Sequence, residues 1–242
     1  MMSDIAWLTE RPIAHRGYHD MNKAVWENTL SAFSRAVDAG FAIECDLQYA
    51  SDGVPVVFHD DDLERLCNIP GDVRAKTSAE LSLMTIGGTK DRVPKLRDML
   101  NLVKGKVPLV IELKGRAGDD DGFVESVLDT LEGYHGPVAL MSFDHWLLRE
   151  LKEIGVPYPV GLTAYGDKPE IWDRQVQEMA IGLDFTSYHY AHLPNPFTDG
   201  LRSKGIPVIT WTVRDEAAIR QTFENADQMT FEGFDPRETK AA

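Results

Sequence analysis

"IECDLQYASDGVPVVFHD", Ile43–Asp60, decides how the rest of the chain is read. An apolar run that reads as a strand carries two carboxylates, Glu44 and Asp46, and the next apolar run closes on His59 and Asp60. Carboxylates are poor strand formers and costly to bury unpaired. A compensating charge is therefore expected, and a cation is the simplest. Side chains alternate across a strand, so Glu44, Asp46 and Gln48 share one side while Ile43, Cys45 and Leu47 take the other. "SDG" at Ser51–Gly53 is a tight-turn signal that folds "VPVVFHD" back beside the end of the strand.

The same arrangement recurs in "VPLVIELKG", Val107–Gly115, where Val110, Glu112 and Lys114 oppose Leu109, Ile111 and Leu113. One reading makes both segments alternating strands with a solvated polar face. The other turns the apolar sets toward a helical layer and the charged sets toward a shared interior. Repetition on successive strands favours the second, because parallel strands are covered on both faces.

Further strand patterns lie at Pro12–Arg16, Ala42–Ala50, Gly136–Phe143, Tyr158–Tyr165, Ala180–Ser187, Ile206–Val213 and Ala226–Gly233. Helical periodicity falls between them in "ENTLSAFSRAVDAG", "DGFVESVLDTLEGYH", "HWLLRELKEIG", "NPFTDGLRSKG" and "DEAAIRQTFENA". In the first of these Leu30, Phe33, Ala36 and Val37 share a face and Gly40 is the stop. Strands alternating with helices predict right-handed parallel crossovers. The economical solution is a (β/α)8 TIM barrel, with a doubly wound open sheet as the structural alternative. Ser51–Lys106 is longer than one connecting helix needs and reads as a small insertion after the second strand, with short helical patterns "SAELSLM" and "KLRDMLNLV". Without a linker, repeat or low-complexity segment, residues 1–242 read as a single domain.

Composition narrows the function. The 242 residues carry 25 basic and 39 acidic side chains, a net charge of −14. No nucleic-acid partner is expected, since phosphate backbones need a basic face. One small phosphate can still bind where a metal or a few cations reverse the local field. "MMSDIAWLTERPIAH" has neither a basic leader nor a long apolar stretch, so no signal peptide and no membrane span are expected. Cys45 and Cys67 make neither a disulfide framework nor a zinc site, and Cys45 should be inert core. A cytoplasmic location fits.

In a barrel of this kind the active site lies at the carboxyl ends of the strands. Glu44, Asp46, Glu112 and Lys114 would converge there beside His15 and Arg16 at the end of strand one. Oxygen-rich ligands without cysteine suit a hard cation, Mg²⁺ or Ca²⁺. His59 is either a solvated loop residue in an acidic patch or a partner of His15 in acid–base chemistry on an anionic substrate. His15 itself has the plainer reading of a hydrogen-bonded strand end. His19, His135, His145, His189 and His192 read as surface or structural.

"AHRG" (Ala14–Gly17), "ENTLSAF" (Glu27–Phe33), the opening stretch, "IELKG" (Ile111–Gly115), "SFD" (Ser142–Asp144) and "TWTV" (Thr210–Val213) stand in order along the chain. The set resembles the glycerophosphodiester phosphodiesterase family, whose TIM barrel also carries an insertion after its second strand. The resemblance implies a metal-dependent hydrolase that cleaves a small-molecule glycerophosphodiester into an alcohol and sn-glycerol 3-phosphate. Glu44, Asp46 and Glu112 would hold one divalent cation, and His15 and His59 would be general base and general acid. Arg16 would clamp the phosphate with Lys114 nearby. Trp211 would wall the substrate pocket, although strand parity also permits a packing role. Glu27 and Asn28 would start the first helix and brace the site. Asp60 either orients His59 or belongs to an exposed acidic loop.

The same scaffold could instead take a lysophospholipid, or bind a phosphate ester without turnover. The chain departs from the family pattern at "DQMTFEGFDP", where Phe231–Glu232 stands in place of an expected Asp. Substrate contacts around the last strand are then an open point. The closing helix reads as short or absent, which leaves room for a homo-oligomer.

Overall fold

Strand β2 (Ala42–Tyr49) is the hub of the sheet. Along one edge it pairs in parallel with β4 (Leu109–Leu113); along the other it meets β1 (Ile13–Ala14) at its start and the antiparallel β3 (Pro55–Val57) at its end. In this computed structural model, which describes residues 5–239, the parallel order continues through β5 (Val138–Ser142), β6 (Val160–Ala164), β7 (Phe185–His189), β8 (Val208–Val213) and β9 (Gln228–Phe231). Strand β9 then pairs with β1 and closes the ring. The result is the expected closed parallel barrel of eight strands, with β3 as an extra strand on β2. An open sheet is ruled out by the β1 pairings on both sides.

Helices α1 (Leu30–Ala39), α4 (Leu96–Val103), α5 (Phe123–Leu131), α6 (His145–Ile154), α7 (Pro169–Met179), α8 (Pro196–Arg202) and α9 (Glu216–Asn225) carry the crossovers. Helix α1 is capped by the Thr29 hydroxyl, which accepts from the Ala32 amide, and ends at Gly40 in the left-handed conformation. Glu27 and Asn28 therefore precede the helix rather than start it. The insertion after β3 holds α2 (Glu64–Cys67) and α3 (Ser78–Leu81) over its own small core of Phe58, Leu63, Leu66, Val73, Leu81 and Ile86. After β9 the described residues hold one 3-10 turn, Pro236–Glu238, in place of a closing helix. Among the described residues no helix is long and apolar enough to cross a membrane; Met1–Asp4 of the stretch read for a leader lie outside them.

Two elements differ from the sequence reading. The strand expected at Ala180–Ser187 runs from Phe185 to His189, because Gly182 and Leu183 turn back to the Met179 carbonyl at the end of α7. Helix α7 itself has a weak apolar signal. It buries Gln175 and Met179, while Val176 faces solvent.

Alternation sorts the side chains into layers. Ile43, Cys45, Leu47, Leu109, Ile111 and Leu113 join the helices in the outer core. Ile13, Ala42, Val110, Ala139, Phe185 and Ile209 fill the lower barrel, plugged by Leu8 from the 3-10 turn Ala6–Thr9. The Phe185 ring lies over Gly161, its register neighbour on β6, where a Cβ would lie 2.3 Å from the ring. Each large buried side chain contributes about 1.5–3 kcal/mol. Above this plug, the inward positions of β2 and β4 become charged.

Gly17 fixes the exit from β1. Its φ is +81°, and an added Cβ would lie 2.9 Å from both Ala32 Cβ and Phe33 Cδ1. Gly17→Ala is expected to destabilise the fold by about 1–3 kcal/mol, read as a lower urea midpoint. An unchanged midpoint would mean that the β1–α1 turn tolerates the clash.

Candidate active site

Parallel pairing puts Asp46 directly beside Glu112, with Glu44 one inward position below Asp46. All three are buried, and carboxylate oxygens of the set lie within 4.8 Å of one another. Burial, then the charges of Asp46 and Glu112, push Glu44 well above the usual carboxylate range. Burial raises Glu112 too, against the opposing pull of Lys114. Burial also acts on Asp46, but Lys114 and Arg16 overcome it and hold Asp46 low. The Lys114 ammonium lies 2.8 Å from Glu112 and 3.3 Å from Asp46. One ammonium cannot neutralise three carboxylates, and an all-oxygen donor set of this charge fits a hard divalent cation.

Arg16 follows β1 with φ +55°, and its amide donates to Glu44 Oε2 at 2.8 Å. Its guanidinium donates to Glu27 Oε1 at 2.6 Å, and its Nε lies 3.4 Å from Asp46 Oδ2. Asn28, at φ +54°, donates its side-chain amide to Asp46 Oδ2 at 2.9 Å and its backbone amide to the Arg16 carbonyl at 2.8 Å. The loop ahead of α1 thus locks Asp46 and the arginine to each other. Glu27 also accepts two bonds of 2.8 Å from Arg65.

Arg65 in turn donates to both oxygens of Asp60, and Asp60 Oδ1 lies 2.8 Å from His59 Nδ1. Asp60 is therefore a built partner of His59, not a free acid in a solvated loop. Gln48, the third inward polar residue of β2, donates to the carbonyls of His59 and Asp60. Arg74 from the insertion anchors this side. It is buried, 2.6 Å from Asp120, and donates to the Gln48 side chain and the Lys114 carbonyl.

His15 mirrors His59. Its Nδ1 lies 2.5 Å from Glu232 Oε2, and Arg214 Nε donates to Glu232 Oε1 at 2.7 Å. His19 is buried with Nε2 3.5 Å from the same carboxylate, rather than lying on the surface. Burial pushes His15 below its ordinary value, outweighing Glu232. Burial also acts on Glu232, yet the two histidines and Arg214 hold it far below the carboxylate range. Glu232 was the departure that left the last strand open, and it now fills a position against His15. Its signal was parity: Thr230 and Glu232 share the inward side of β9 and its extension.

The far wall is aromatic and hydroxylic. Trp211 lines the cavity, donates its indole N–H to the Ser187 carbonyl at 3.1 Å, and meets Phe143 and His189 edge-to-face at 5.5 and 4.8 Å. His189, read as surface or structural, is a cavity wall. Thr163, Ser187, Thr212 and Thr230 complete it. The cavity encloses about 190 Å³ and brings together His15, Arg16, Glu44, Asp46, His59, Glu112, Lys114 and Trp211, with Glu27 and Asn28 behind them.

The glycerophosphoryl diester phosphodiesterase family model matches residues 15–233. A glycerophosphodiester phosphodiesterase of Caldanaerobacter subterraneus subsp. tengcongensis is 32% identical over 213 residues, 83% of this chain and 84% of that one. A Thermotoga maritima glycerophosphodiester phosphodiesterase superposes with TM-score 0.71 at 26% identity, over 90% of this chain and 92% of that one. An Oleispira antarctica phosphodiesterase, solved with the product sn-glycerol-3-phosphate, gives TM-score 0.82 at 22% identity over 93% and 94%.

Glu27 offers a test of the brace. Burial would raise it, but Arg65, Arg16 and Asn22 lower it from 4.5 to about 2. That stabilisation is complete above the unfolded value and is lost as pH falls toward 2. Glu27→Gln is expected to cost on the order of 3 kcal/mol at pH 7. Urea unfolding should show the gap to the parent chain closing below about pH 4.5; a gap that is constant with pH would contradict the pairing.

Proposed function

The chain belongs to the glycerophosphoryl diester phosphodiesterase family, a family of phosphoric diester hydrolases, and we propose that it hydrolyses a glycerophosphodiester to an alcohol and sn-glycerol 3-phosphate. The observation that carries the reading is the pair of histidines. Each has its Nδ1 on a carboxylate, and each carboxylate is held by an arginine, on either side of a three-carboxylate cluster.

A hydrogen bond from Nδ1–H to a carboxylate leaves Nε2 free to move a proton and favours the imidazolium that forms. His15, kept neutral by burial, takes the proton of the attacking oxygen as the new P–O bond forms. His59 gives a proton to the alcohol oxygen as the old P–O bond breaks. Arg16 and Lys114 bind the phosphate oxygens in this reading, and their carboxylate partners keep them charged against burial. Glu44, Asp46 and Glu112 would hold Mg²⁺ or Ca²⁺, which when bound supplies the charge that neutralises the phosphoryl oxygens. Trp211 bounds the space for the substrate.

A second reading, cleavage of a lysophospholipid, draws on a neighbouring cleft of about 320 Å³ lined by Phe143, Leu162, Ala164, Tyr165 and Ile171. Its wall includes the His145–Glu178 ion pair at 3.2 Å and Arg174, a poor surface for an acyl chain, so it ranks second.

With Mg²⁺ or Ca²⁺ present, glycerophosphocholine should yield sn-glycerol 3-phosphate and choline, and should turn over faster than lysophosphatidylcholine. His15→Ala and His59→Ala should each lower kcat by roughly 10²–10⁴-fold. A chromogenic diester with an acidic leaving alcohol should partly rescue His59→Ala but not His15→Ala. Equal rescue of both, or full activity in either variant, would overturn the assignment.

A further inference from the structure

The two arms that hold the histidines are built differently. On the His59 side, Arg65 donates to both oxygens of Asp60. On the His15 side, Arg214 donates to Oε1 of Glu232, and the Arg214 side chain is 57% exposed. The other oxygen, Oε2, carries the bond to His15 Nδ1 and has a second neighbour, His19 Nε2 at 3.5 Å. His19 is 4% exposed, and its Nε2 is buried without a hydrogen bond.

The loop after β1 decides what that nitrogen can be. His19 Nδ1 accepts from the Met21 amide at 3.1 Å. A neutral imidazole has one donor and one acceptor nitrogen, so its proton sits on Nε2 and faces Glu232. Met21 and Asn22 both take the left-handed conformation, at φ +62° and +59°. Asn22 accepts from the Glu27 amide at 2.8 Å, and Met21 lies against Gly233, where an added Cβ would be 2.9 Å from Met21 Sδ. The turn is thus fastened to Glu27 on one side and to the exit of β9 on the other. His15, His19 and Glu232 are also close enough to share a cation. A cation on His19 Nε2 would have to displace the proton that the Met21 bond keeps there, so the geometry favours two donors on one carboxylate over a metal site.

A buried donor without a partner is destabilising and calls for an explanation. Glu232 has to stay ionised. As a carboxylate it accepts from His15 Nδ1–H and leaves Nε2 open to take a proton; protonated, it would donate to Nδ1 and move the His15 proton to Nε2, the wrong tautomer for a base. Arg214 supports Glu232 from the side that water screens, and His19 from the dry side. We propose that His19 is a positioning residue whose Nε2–H supports the Glu232 carboxylate and so keeps His15 in the Nδ1–H tautomer. The inference rests on the reading above in which His15 is the base.

Two amides separate the two nitrogens of His19. His19→Asn places an oxygen near the Nδ1 position, which can accept from Met21, but cannot reach Glu232. His19→Gln places an N–H near the Nε2 position and gives up the Met21 bond. With glycerophosphocholine and Mg²⁺ or Ca²⁺, His19→Asn should lower kcat roughly tenfold with little change in KM, and His19→Gln should retain most of kcat. Adding His19→Asn to Glu232→Gln should cost nothing further, because the effect passes through the carboxylate. In parallel, ¹H–¹⁵N spectra of the ring nitrogens report the His15 tautomer at about pH 8, above the ordinary histidine range. The parent and His19→Gln should show the proton on Nδ1, and His19→Asn should show a share of it on Nε2. A parent-like His19→Asn beside an impaired His19→Gln would assign His19 to the Met21 turn and overturn the proposal, as would equal losses in both or additive losses with Glu232→Gln. If no diester is hydrolysed, the phosphodiesterase reading fails. The tautomer then decides alone: a change confined to His19→Asn supports the positioning role, and no change overturns it.

Discussion

Three buried carboxylates that repel one another are the constraint on which the upper half of this barrel depends. Glu44, Asp46 and Glu112 sit on two paired strands with their oxygens within 4.8 Å, in a place where neither water nor distance can relieve the repulsion. Their surroundings are arranged as compensation. Lys114 lies between two of them, Arg16 approaches a third edge through both its backbone amide and its guanidinium, and Asn28 donates to Asp46. Such a site is destabilising to keep and is retained where the charge is used. The lower barrel, packed with Phe185, Ile209, Val110 and Leu8, provides the rigid floor that allows it.

The second theme is positioning through carboxylates at one remove. Asp60 and Glu232 each hold one histidine by Nδ1 and are themselves held by one arginine. Arg65 extends the chain further, from Asp60 to Glu27 and so to Arg16. Arg16 and His59 are thereby mechanically linked through the β1–α1 loop and the insertion. This gives the insertion a task beyond covering the sheet: Arg65 and Arg74 both enter the strand ends from it.

Strand parity in Ile43–Gln48 and Leu109–Lys114 is enough to read the barrel interior and the carboxylate cluster, and the tight turn Ser51–Gly53 to read the fold-back of β3, because both signals are local and survive into the fold. What parity could not reach was anything set by tertiary meeting. Asp60 has two readings in sequence, and only Arg65 beside it in the fold decides between them. His19 and His189 read only as surface or structural, since nothing in their own segments places one beside Glu232 and the other against Trp211. Glu232 was legible only as a departure from a family pattern, although its parity with Thr230 points it inward. Helix α7 was missed because it covers the sheet with Gln175 and Met179 instead of an aliphatic stripe. Unpaired buried hydroxyls are invisible in sequence: Thr163 and Thr186 look alike until their partners are counted.

We infer that the carboxylate cluster holds one divalent cation. Titration of the metal-free protein with Mg²⁺ and with Ca²⁺, followed by calorimetry and by thermal midpoint, tests it most directly. One ion should bind per chain, with a stabilisation of about 2.7 kcal/mol once the free ion reaches 100 times its Kd. Replacing Glu44, Asp46 and Glu112 with their amides should abolish that binding. No binding of either ion at millimolar concentration, or binding that survives the triple replacement, would contradict it.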